Sequence, residues 1–362
     1  MKQEIKALTL NGRFFPLKEL DEFCREEISK NISPAWQLDI FRFILDFLSE
    51  SEFIYQQTSG STGAPKTIQL SKKAMLKSAE NTVSFFNLER NQKAVLCLPV
   101  KYIAGKMMIV RAFLAQMNLV LIEPDGTPDF SKLGEVDFCA MVPMQAANLL
   151  EQNNWPNIKT LILGGAETSS ELFEKLQKVK TEVFETYGMA ETCSHIALKQ
   201  INGENPQQVF TTLPGIRISK DERDCLVIDA PFLKEKIITN DCIELVSENK
   251  FKWLGRIDNV INSGGIKIQP EMLEKKIEEI LQKSCVILSE PDEILGQKLV
   301  LVIESEKPEN PSQIQEKLAP HFDKKMLPKS VWFLAEFPRN KSFKIDRKML
   351  KEWGPGDSHL PI

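Results

Sequence analysis

The chain has 362 residues, of which 42% are hydrophobic and 27% are charged, a composition typical of globular proteins with two or three domains. Its net charge of −4 and isoelectric point of about 5.7 offer no basic surface for nucleic acid or an anionic membrane. No run of eighteen apolar residues and no secretory signal is found, so neither membrane insertion nor export is expected. The seven cysteines are scattered and never spaced C-x-x-C, which favours reduced thiols in a cytoplasmic protein.

The first predicted elements surround a loop rich in glycine and hydroxyl groups. Ser33 and Pro34 are predicted to begin a helix, and residues 53–57 read as an apolar, strand-like segment. Residues 67–70 read as a second strand, followed by a helix for which Ser71 is a good N-cap. The loop therefore lies between two strands.

This loop is the most informative segment of the chain. Its glycines and hydroxyls let backbone and side-chain donors converge on a phosphate, and Lys66 ends it with a positive charge. A Walker P-loop is disfavoured because Pro65, not glycine, precedes the lysine and no helix follows directly. The candidate phosphate-binding residues are Thr58, Ser59, Gly60, Ser61, Thr62 and Gly63.

The middle of the chain predicts an α/β fold. Short apolar runs separated by helical segments indicate buried, largely parallel strands. From about residue 209 short strands and turns follow, and after Gly255 the pattern is α/β again, with a helix over residues 270–281. We place a domain boundary near Asp258, which gives domains of residues 1–257 and 258–362. The parallel strands are predicted at residues 94–98, 119–122, 138–142 and 160–163, and the C-terminal strands at 284–288 and 299–303.

Several further motifs hold candidate ligand-binding residues, each of them weak alone. The Gly164-Gly165-Ala166 turn follows a buried strand, where a flat ring can lie against bare backbone. Glu191 comes just after the Tyr187-Gly188 turn and offers the oxygen ligand that Mg²⁺ prefers. The remaining candidates are Asp241 for a ribose, the pair Arg256 and Asp258, the loop Ser263-Gly264-Gly265, and Lys344 in a basic loop.

In this order the motifs resemble those of the AMP-forming adenylating superfamily, which contains acyl-CoA synthetases, adenylation domains of peptide synthetases and beetle luciferases. The resemblance runs from about residue 53 to residue 353. It implies a large domain of layered α/β sheets, trimmed at its N-terminus, and a small mobile α+β C-terminal domain. It also implies that a carboxylic acid is activated with ATP and Mg²⁺ and then transferred to coenzyme A.

The resemblance also assigns roles to particular residues. Lys344, Glu191 and Lys66 would be catalytic, Glu191 and Thr62 would bind the metal, and Asp258 would be the hinge. Ser263, Gly264 and Gly265 would form the coenzyme A tunnel loop. Nucleotide contacts would come from Thr58, Ser59, Gly60, Ser61, Thr62, Gly63, Gly164, Gly165, Ala166, Tyr187, Gly188, Thr192, Asp241 and Arg256.

The chain departs from the family pattern at three places. Ala190 stands where relatives often carry a threonine that contacts phosphate, so a hydrogen bond worth about 1 kcal/mol is lost or supplied by Thr192. Phe343 replaces the glycine before the C-terminal lysine, and Tyr102 replaces the usual histidine of the acid pocket. The acid pocket is accordingly predicted to contain Tyr102, Lys101, Lys106, Ser194 and His195.

One motif also bears on which carboxylic acid is activated. The run from Tyr187 to Ser194 looks most like that of the o-succinylbenzoate–CoA ligases of menaquinone synthesis, which are compact members. Two alternatives stay open: a ligase that loads another aromatic or short acid onto coenzyme A or a carrier protein, and a degenerate nucleotide-binding member. The oligomeric state, including a homo-oligomer, also stays open.

Overall fold

The computed structural model describes residues 5–57, 66–307, 309–339 and 345–353. The chain begins with a hairpin and a helix that the sequence patterns above leave unpredicted. The second helix confirms the one expected to begin at Ser33 and Pro34. The hairpin turns at Asn11 and Gly12, which both have positive φ, a conformation that these two residue types tolerate. These elements are β1 (Ala7–Leu10), β2 (Arg13–Pro16), α1 (Leu17–Lys30) and α2 (Ala35–Leu48).

A separate two-stranded hairpin follows, and it confirms the predicted strands on both sides of the glycine-rich loop. It consists of β3 (Phe53–Gln57) and β4 (Thr67–Ser71), which pair antiparallel. Helix α3 (Lys72–Phe85) comes next, with Ser71 at its N-cap position. The Ser71 side chain makes no capping hydrogen bond, so the cap expected from its hydroxyl is not formed.

The centre of the molecule is a parallel layer, as predicted. Strands pair in parallel in the order β9, β8, β7, β5, β6 and β1, and helices connect them. Parallel strands need such crossover connections, which cover the sheet faces and make the strands apolar throughout. The new elements are β5 (Lys93–Leu96), α4 (Ile103–Ala115), β6 (Asn118–Leu121), β7 (Val136–Met141), α5 (Pro143–Glu151), β8 (Ile158–Leu163), α6 (Ser170–Leu176) and β9 (Glu182–Gly188).

The sheet continues beyond β9 with antiparallel strands, which gives one sheet of 13 strands in the described residues. This change of pairing explains the short strands and turns predicted from residue 209, because antiparallel strands can be joined by tight turns. The strands are β10 (His195–Gln200), β11 (Phe210–Thr212), β12 (Arg217–Lys220), β13 (Cys225–Asp229), β14 (Ile237–Ser247) and β15 (Lys250–Arg256).

The C-terminal part has a second sheet with its own cores. Helix α7 (Pro270–Leu281) has the predicted bounds, and the strands expected at residues 284–288 and 299–303 are longer than predicted. This sheet begins at Ile261, which is compatible with a boundary near Asp258, although the division into domains stays a prediction. After a 3₁₀ turn (Ile257–Asn259) the elements are β16 (Ile261–Ser263), β17 (Ile266–Ile268), α7, β18 (Cys285–Asp292), β19 (Gly296–Glu304), α8 (Pro311–Leu318), a 3₁₀ turn (Ala319–His321), β20 (Ser330–Leu334) and α9 (Arg347–Trp353).

Large apolar side chains hold the layers together. Phe47, Phe113 and Phe138 are fully buried, and each contributes about 1.5–3 kcal/mol by leaving water. All seven cysteines are free and buried. This agrees with the reduced thiols that were expected because the cysteines are scattered along the sequence. Within the described ranges, no helix is both long and apolar enough to span a bilayer.

Candidate active site

The hairpin β3–β4 places Gln57 and Thr67, the residues on either side of the predicted phosphate loop, next to each other. Gln57 pairs with Thr67 as the last pair of the ladder, so the loop starts and ends at adjacent positions. Lys66 is exposed at the start of β4. The predicted loop residues Thr58, Ser59, Gly60, Ser61, Thr62 and Gly63 lie outside the described residues, and so does the predicted catalytic Lys344.

The predicted acid-pocket lysines lie next to this hairpin. Lys106 donates to Gln56 Oε1 at 2.8 Å and to Tyr55 O at 3.4 Å, and burial lowers the pKa of its amine. Gln56 in turn donates to the carbonyl of Lys101 at 2.9 Å. Lys101 is exposed and stacks over the ring of Tyr102, 5.1 Å from its centroid. Lys106 is thus held against the strand that leads into the phosphate loop, and its role in acid binding stays a prediction.

The Gly164-Gly165-Ala166 turn ends β8 beside Thr186 of β9. A Cβ on Gly164 would lie 2.6 Å from Thr186 Oγ1, and Gly165 has φ +88°, so both positions require glycine. Gly165 and Ala166 are exposed. The turn therefore presents bare backbone at the end of a strand, as the adenine contact predicted for it requires.

A carboxylate network lies next to this turn. Tyr187 donates its hydroxyl to Asp241 Oδ2 at 2.7 Å, and Trp253 Nε1 donates to Oδ1 at 3.2 Å. Burial and the Asp241 charge raise the pKa of the Tyr187 hydroxyl well above its usual value. The β14–β15 register places Arg256 opposite Asp241, with 3.6 Å between Nη1 and Oδ1. Asp241 is fixed in place with one further acceptor position on each oxygen, which suits the ribose contact predicted for it.

The predicted hinge adjoins this network directly. Asp258 accepts from Arg256 Nη2 at 2.7 Å and from Asn240 Nδ2 at 3.1 Å. The guanidinium of Arg256 therefore bridges Asp241 and Asp258. Further along, Gly264 donates its amide to Leu295 O at 2.9 Å. The loop predicted for coenzyme A, Ser263, Gly264 and Gly265, has positive φ at both glycines.

The turn from Gly188 to Ser194 joins β9 to β10. Gly188 pairs with His195, and a Cβ on this glycine would collide with the His195 backbone. Glu191 is exposed on the turn, so its carboxylate is accessible to an ion from solution. The Thr192 hydroxyl is buried and donates to Ser194 O at 2.6 Å while accepting from Met189 N at 3.0 Å. This geometry favours a structural role for Thr192 over replacement of the hydroxyl missing at Ala190.

A magnesium ion has one exposed carboxylate available here. Glu191 has the hard oxygen donors that Mg²⁺ takes, and this ion keeps most of its coordination sphere for water and phosphate. Among the residues that the structure describes, no group of three or more His, Cys, Asp or Glu is placed to hold a metal. A single carboxylate is compatible with a metal that arrives with a nucleotide, and the roles of Glu191 and Thr62 as its ligands stay predictions.

Arg111 was not among the predicted site residues. It lies on α4 behind this turn. Its guanidinium donates to Ser194 Oγ at 2.5 Å and lies 3.5 Å from His195 Nδ1. The side chain is 2% exposed, and its burial lowers the pKa to about 9 with no carboxylate of the described residues raising it again. Its Nε also has no partner among them. The sequence did contain a signal for this residue: Arg111 is the single charge inside the apolar run Met107–Ala115. An arginine is rarely buried without a partner, so this position could have been proposed as a binding residue.

His195 itself is buried and neutral. Desolvation, with Arg111 nearby, lowers the pKa of its imidazole well below the usual value. Its Nε2 lies 3.1 Å from Thr82 Oγ1. Ser194, His195 and Arg111 thus form one cluster, whereas the structure places Lys106 in contact with β3.

Comparisons with known proteins agree with this arrangement. A family model described as AMP-binding enzyme matches residues 49–225. An AMP-forming acyl-CoA synthetase/AMP-acid ligase II-like protein from Dyadobacter fermentans is 32% identical, with 92% of this chain and 97% of that chain covered and a TM-score of 0.59. The chain therefore belongs to the family of AMP-binding enzymes, the AMP-forming acyl-CoA synthetases. The predicted family and its α/β fold are confirmed.

Within the family, the chain is similar to one group of ligases. The 2-succinylbenzoate–CoA ligase of Haemophilus influenzae is 27% identical over 388 residues, covering 96% of this chain and 81% of the relative. A variant of MenE from Escherichia coli with bound OSB-AMS shares the fold at 21% identity and a TM-score of 0.76, covering 97% and 96% of the two chains. The MenE of Bacillus subtilis, in complex with ATP and magnesium, has a TM-score of 0.70 at 23% identity, covering 82% and 69%.

Proposed function

We propose that this chain is an o-succinylbenzoate–CoA ligase, which forms the coenzyme A thioester of o-succinylbenzoate (2-succinylbenzoate) through an acyl-adenylate in menaquinone biosynthesis. ATP, Mg²⁺ and coenzyme A are required. The names of several relatives support the proposal. Arg111 is the observation in this molecule that carries the choice of acid.

The argument from Arg111 is electrostatic. Removing a charge from water costs several kcal/mol unless an opposite charge or a full set of hydrogen bonds compensates it. Among the described residues the guanidinium of Arg111 has neutral partners only, namely Ser194 Oγ, His195 Nδ1 and, at 3.7 Å, Met108 Sδ. An anion from outside the protein is the missing partner. o-Succinylbenzoate carries two carboxylates, one activated and one unreacted, and the unreacted carboxylate can bind Arg111 in a bidentate geometry.

The first half-reaction uses the residues near the phosphate loop. An oxygen of the substrate carboxylate attacks the α-phosphorus of ATP, a bond to the departing pyrophosphate breaks, and an acyl-adenylate forms. Lys66 would stabilise the pyrophosphate, and Lys344 the charge shared by carboxylate and α-phosphate. Mg²⁺ bound at Glu191 would neutralise phosphate oxygens. Asp241 and Arg256 would hold the ribose.

The second half-reaction needs the small domain to move. We propose that rotation about Asp258 withdraws Lys344 and brings the loop of Ser263 to Gly265 to the adenylate. The thiol of coenzyme A then bonds to the acyl carbon and loses its proton, while the bond from that carbon to AMP breaks. The ion pair of Asp258 with Arg256 connects the hinge to the nucleotide site and would change when AMP leaves.

The cellular setting belongs to the same proposal. We infer a cytoplasmic location, because the seven cysteines are free and two pairs of sulfur atoms lie only 3.8 and 3.9 Å apart without a bond. An oxidising compartment would favour joining such pairs.

A panel of carboxylic acids tests the function. Purified protein is incubated with ATP and Mg²⁺, with or without coenzyme A, and AMP, pyrophosphate exchange and thioester are measured. The proposal expects exchange with o-succinylbenzoate alone, and AMP plus thioester when coenzyme A is added. Preference for a monocarboxylic acid would refute the choice of acid, and activity only with a carrier protein would refute coenzyme A as acceptor. No exchange with any acid would indicate a degenerate nucleotide-binding member.

A further inference from the structure

Arg111 belongs to a cluster of polar side chains that comes from three segments of the chain, α3, α4 and the start of β10. Ser194 and His195 contact it from the start of β10, and His195 is held in turn by Thr82 on α3. Each of these side chains except Ser194 is at least nine-tenths buried. The result is a continuous polar line from α3 to α4 through an otherwise apolar interior.

The direction of the hydrogen bonds along this line follows from the donors. A guanidinium has only donors, so the His195 Nδ1 that faces Arg111 must be an acceptor. In a neutral imidazole the other nitrogen then carries the proton, and Nε2 donates to Thr82 Oγ1 at 3.1 Å. The Thr82 hydroxyl completes the line by donating to Ser78 O at 3.3 Å. Each donor has an acceptor, and one tautomer of His195 is selected.

This direction argues against His195 as an acid or base. Its acceptor nitrogen is occupied by Arg111, its donor nitrogen by Thr82, and the ring is 6% exposed. What the ring can do is fix the plane of the guanidinium. A bidentate contact with a carboxylate depends on that plane, so the support behind Arg111 affects recognition of the acid.

We propose that Thr82 and His195 are positioning residues that orient Arg111 toward the unreacted carboxylate of the acid. The inference rests on the proposed function, because it uses the second carboxylate of the substrate. It assigns neither residue a contact with the reacting atoms. Thr82 is more than a hundred residues from His195 in the chain, and no motif singled it out.

A double-mutant cycle tests the proposal. Thr82→Val removes the hydroxyl and keeps the shape, and the loss of one hydrogen bond is expected to raise KM for o-succinylbenzoate about fivefold. KM for ATP should change less than twofold. In an Arg111→Met background, Thr82→Val should have no further effect on KM for the acid, since there is no guanidinium left to orient. A purely structural role of Thr82 predicts the same effect in both backgrounds.

Two further variants complete the test. His195→Leu should raise KM for the acid at least as much as Thr82→Val, and His195→Asn should recover part of the loss by presenting an amide oxygen near the position of Nδ1. Thr181→Val is the matched control, since Thr181 is also a buried threonine that accepts a hydrogen bond, from Trp155 at 3.0 Å, far along the chain. It should leave both KM values unchanged.

The outcomes separate this inference from the proposed function. If the wild type uses o-succinylbenzoate and Thr82→Val leaves its KM unchanged, or changes it equally without Arg111, the positioning role is wrong. If the wild type does not use o-succinylbenzoate, the proposed function falls, and the cycle is measured with the acid that it prefers. Coupling between Thr82 and Arg111 then supports the positioning role, and its absence overturns it.

Discussion

Two regions of the molecule hold an excess of one sign of charge that is at least partly shielded from water, positive in one region and negative in the other. Around Arg111 there is a cation with no carboxylate among the described residues. Around helix α7, carboxylates gather near Lys275, and burial, reinforced by neighbouring carboxylates, raises the pKa of Glu167 and of Glu278 to about 7. The acidic region relieves its imbalance by taking up protons. The guanidinium stays largely charged at pH 7 and no carboxylate of the described residues balances it, which is why we propose an external anion as its partner.

The acidic region balances its charge with protons and with residues of the protein. For Arg111 we propose that a bound ligand supplies the balancing charge. The acidic side chains at α7 connect parts of the protein, for instance through the ion pair of Lys275 with Glu167 at 3.7 Å. Arg111 contacts no group of opposite charge in the part of the chain that the structure describes. Variants in each region, and one outside both, test whether this contrast is real.

The largest effect is expected outside both regions and sets the scale for the others. Lys344→Ala should slow acyl-adenylate formation about a thousandfold, because it removes the cation between carboxylate and α-phosphate. Conversion of supplied acyl-adenylate and coenzyme A to thioester should stay near the wild-type rate. The two half-reactions are measured separately by pyrophosphate exchange and thioester formation. Equal loss in both would contradict the proposed domain movement.

Arg111→Met should lower kcat/KM for o-succinylbenzoate about a hundredfold, as expected for a lost charge-assisted bidentate contact. Kinetics for ATP, and for a monocarboxylic aromatic acid if one is used at all, should change far less. Lys106→Met is the comparison variant, and thermal unfolding of both shows whether they fold. If Lys106→Met impairs use of the diacid and Arg111→Met does not, the second carboxylate belongs to the lysine.

A smaller effect is expected at the metal. Glu191→Gln keeps the size of the side chain but removes its charge, so the Mg²⁺ concentration for half-maximal activity should rise about tenfold. Thermal stability should hardly change, because Glu191 is exposed. The measurement is a Mg²⁺ titration at saturating ATP and acid. An unchanged titration would show that Glu191 is not a ligand.

The smallest effect concerns the acidic region. A carboxyl whose pKa rises on folding binds more protons in the folded state, so it destabilises the protein increasingly as pH rises from about 4.5 to 7. Glu278→Gln keeps the hydrogen bond from Cys285 N and should stabilise the protein by roughly 1 kcal/mol at pH 8. At pH 4.5 it should have little effect.

Urea unfolding at pH 4.5 and pH 8 measures the change in the free energy of unfolding. The control is Glu279→Gln, because Glu279 is the exposed neighbour of Glu278. A gain that is equal at both pH values, or that Glu279→Gln reproduces, would show that the charge of Glu278 is not the cause.

Much of the fold followed from local pattern. The apolar runs of the parallel strands and the helix over residues 270–281 were predictable because burial on both faces and a proline at N1 leave direct traces in the sequence. The first hairpin left a local signal that was overlooked, the Asn11-Gly12 turn between two short runs with apolar residues. Its place in the parallel layer was not predictable, since β1 joins that layer by pairing with β6, about a hundred residues away. Pairings at that distance leave no periodicity of their own.

The residues of the candidate site differ in the same way: some stand in short local motifs, and others matter only through contacts that are distant in the sequence. Turns such as Gly164-Gly165 and the Asp241 segment were found because their glycines and acids stand in short motifs. Arg111 was missed because its significance lies in what does not surround it in three dimensions. Thr192 is the opposite case. It stands in the right motif for a nucleotide contact, but its hydroxyl makes hydrogen bonds to the backbone of its own turn.

The contact between Lys106 and Gln56 has a practical consequence for engineering. It ties the helix that carries Arg111 to the strand that leads into the phosphate loop. Exchanging α4 alone to transplant a new acid specificity would therefore also remove a contact with the strand that leads into the predicted phosphate loop. Chimeras should exchange the β3–β4 hairpin together with α4, so that donor and acceptor of this contact come from the same parent.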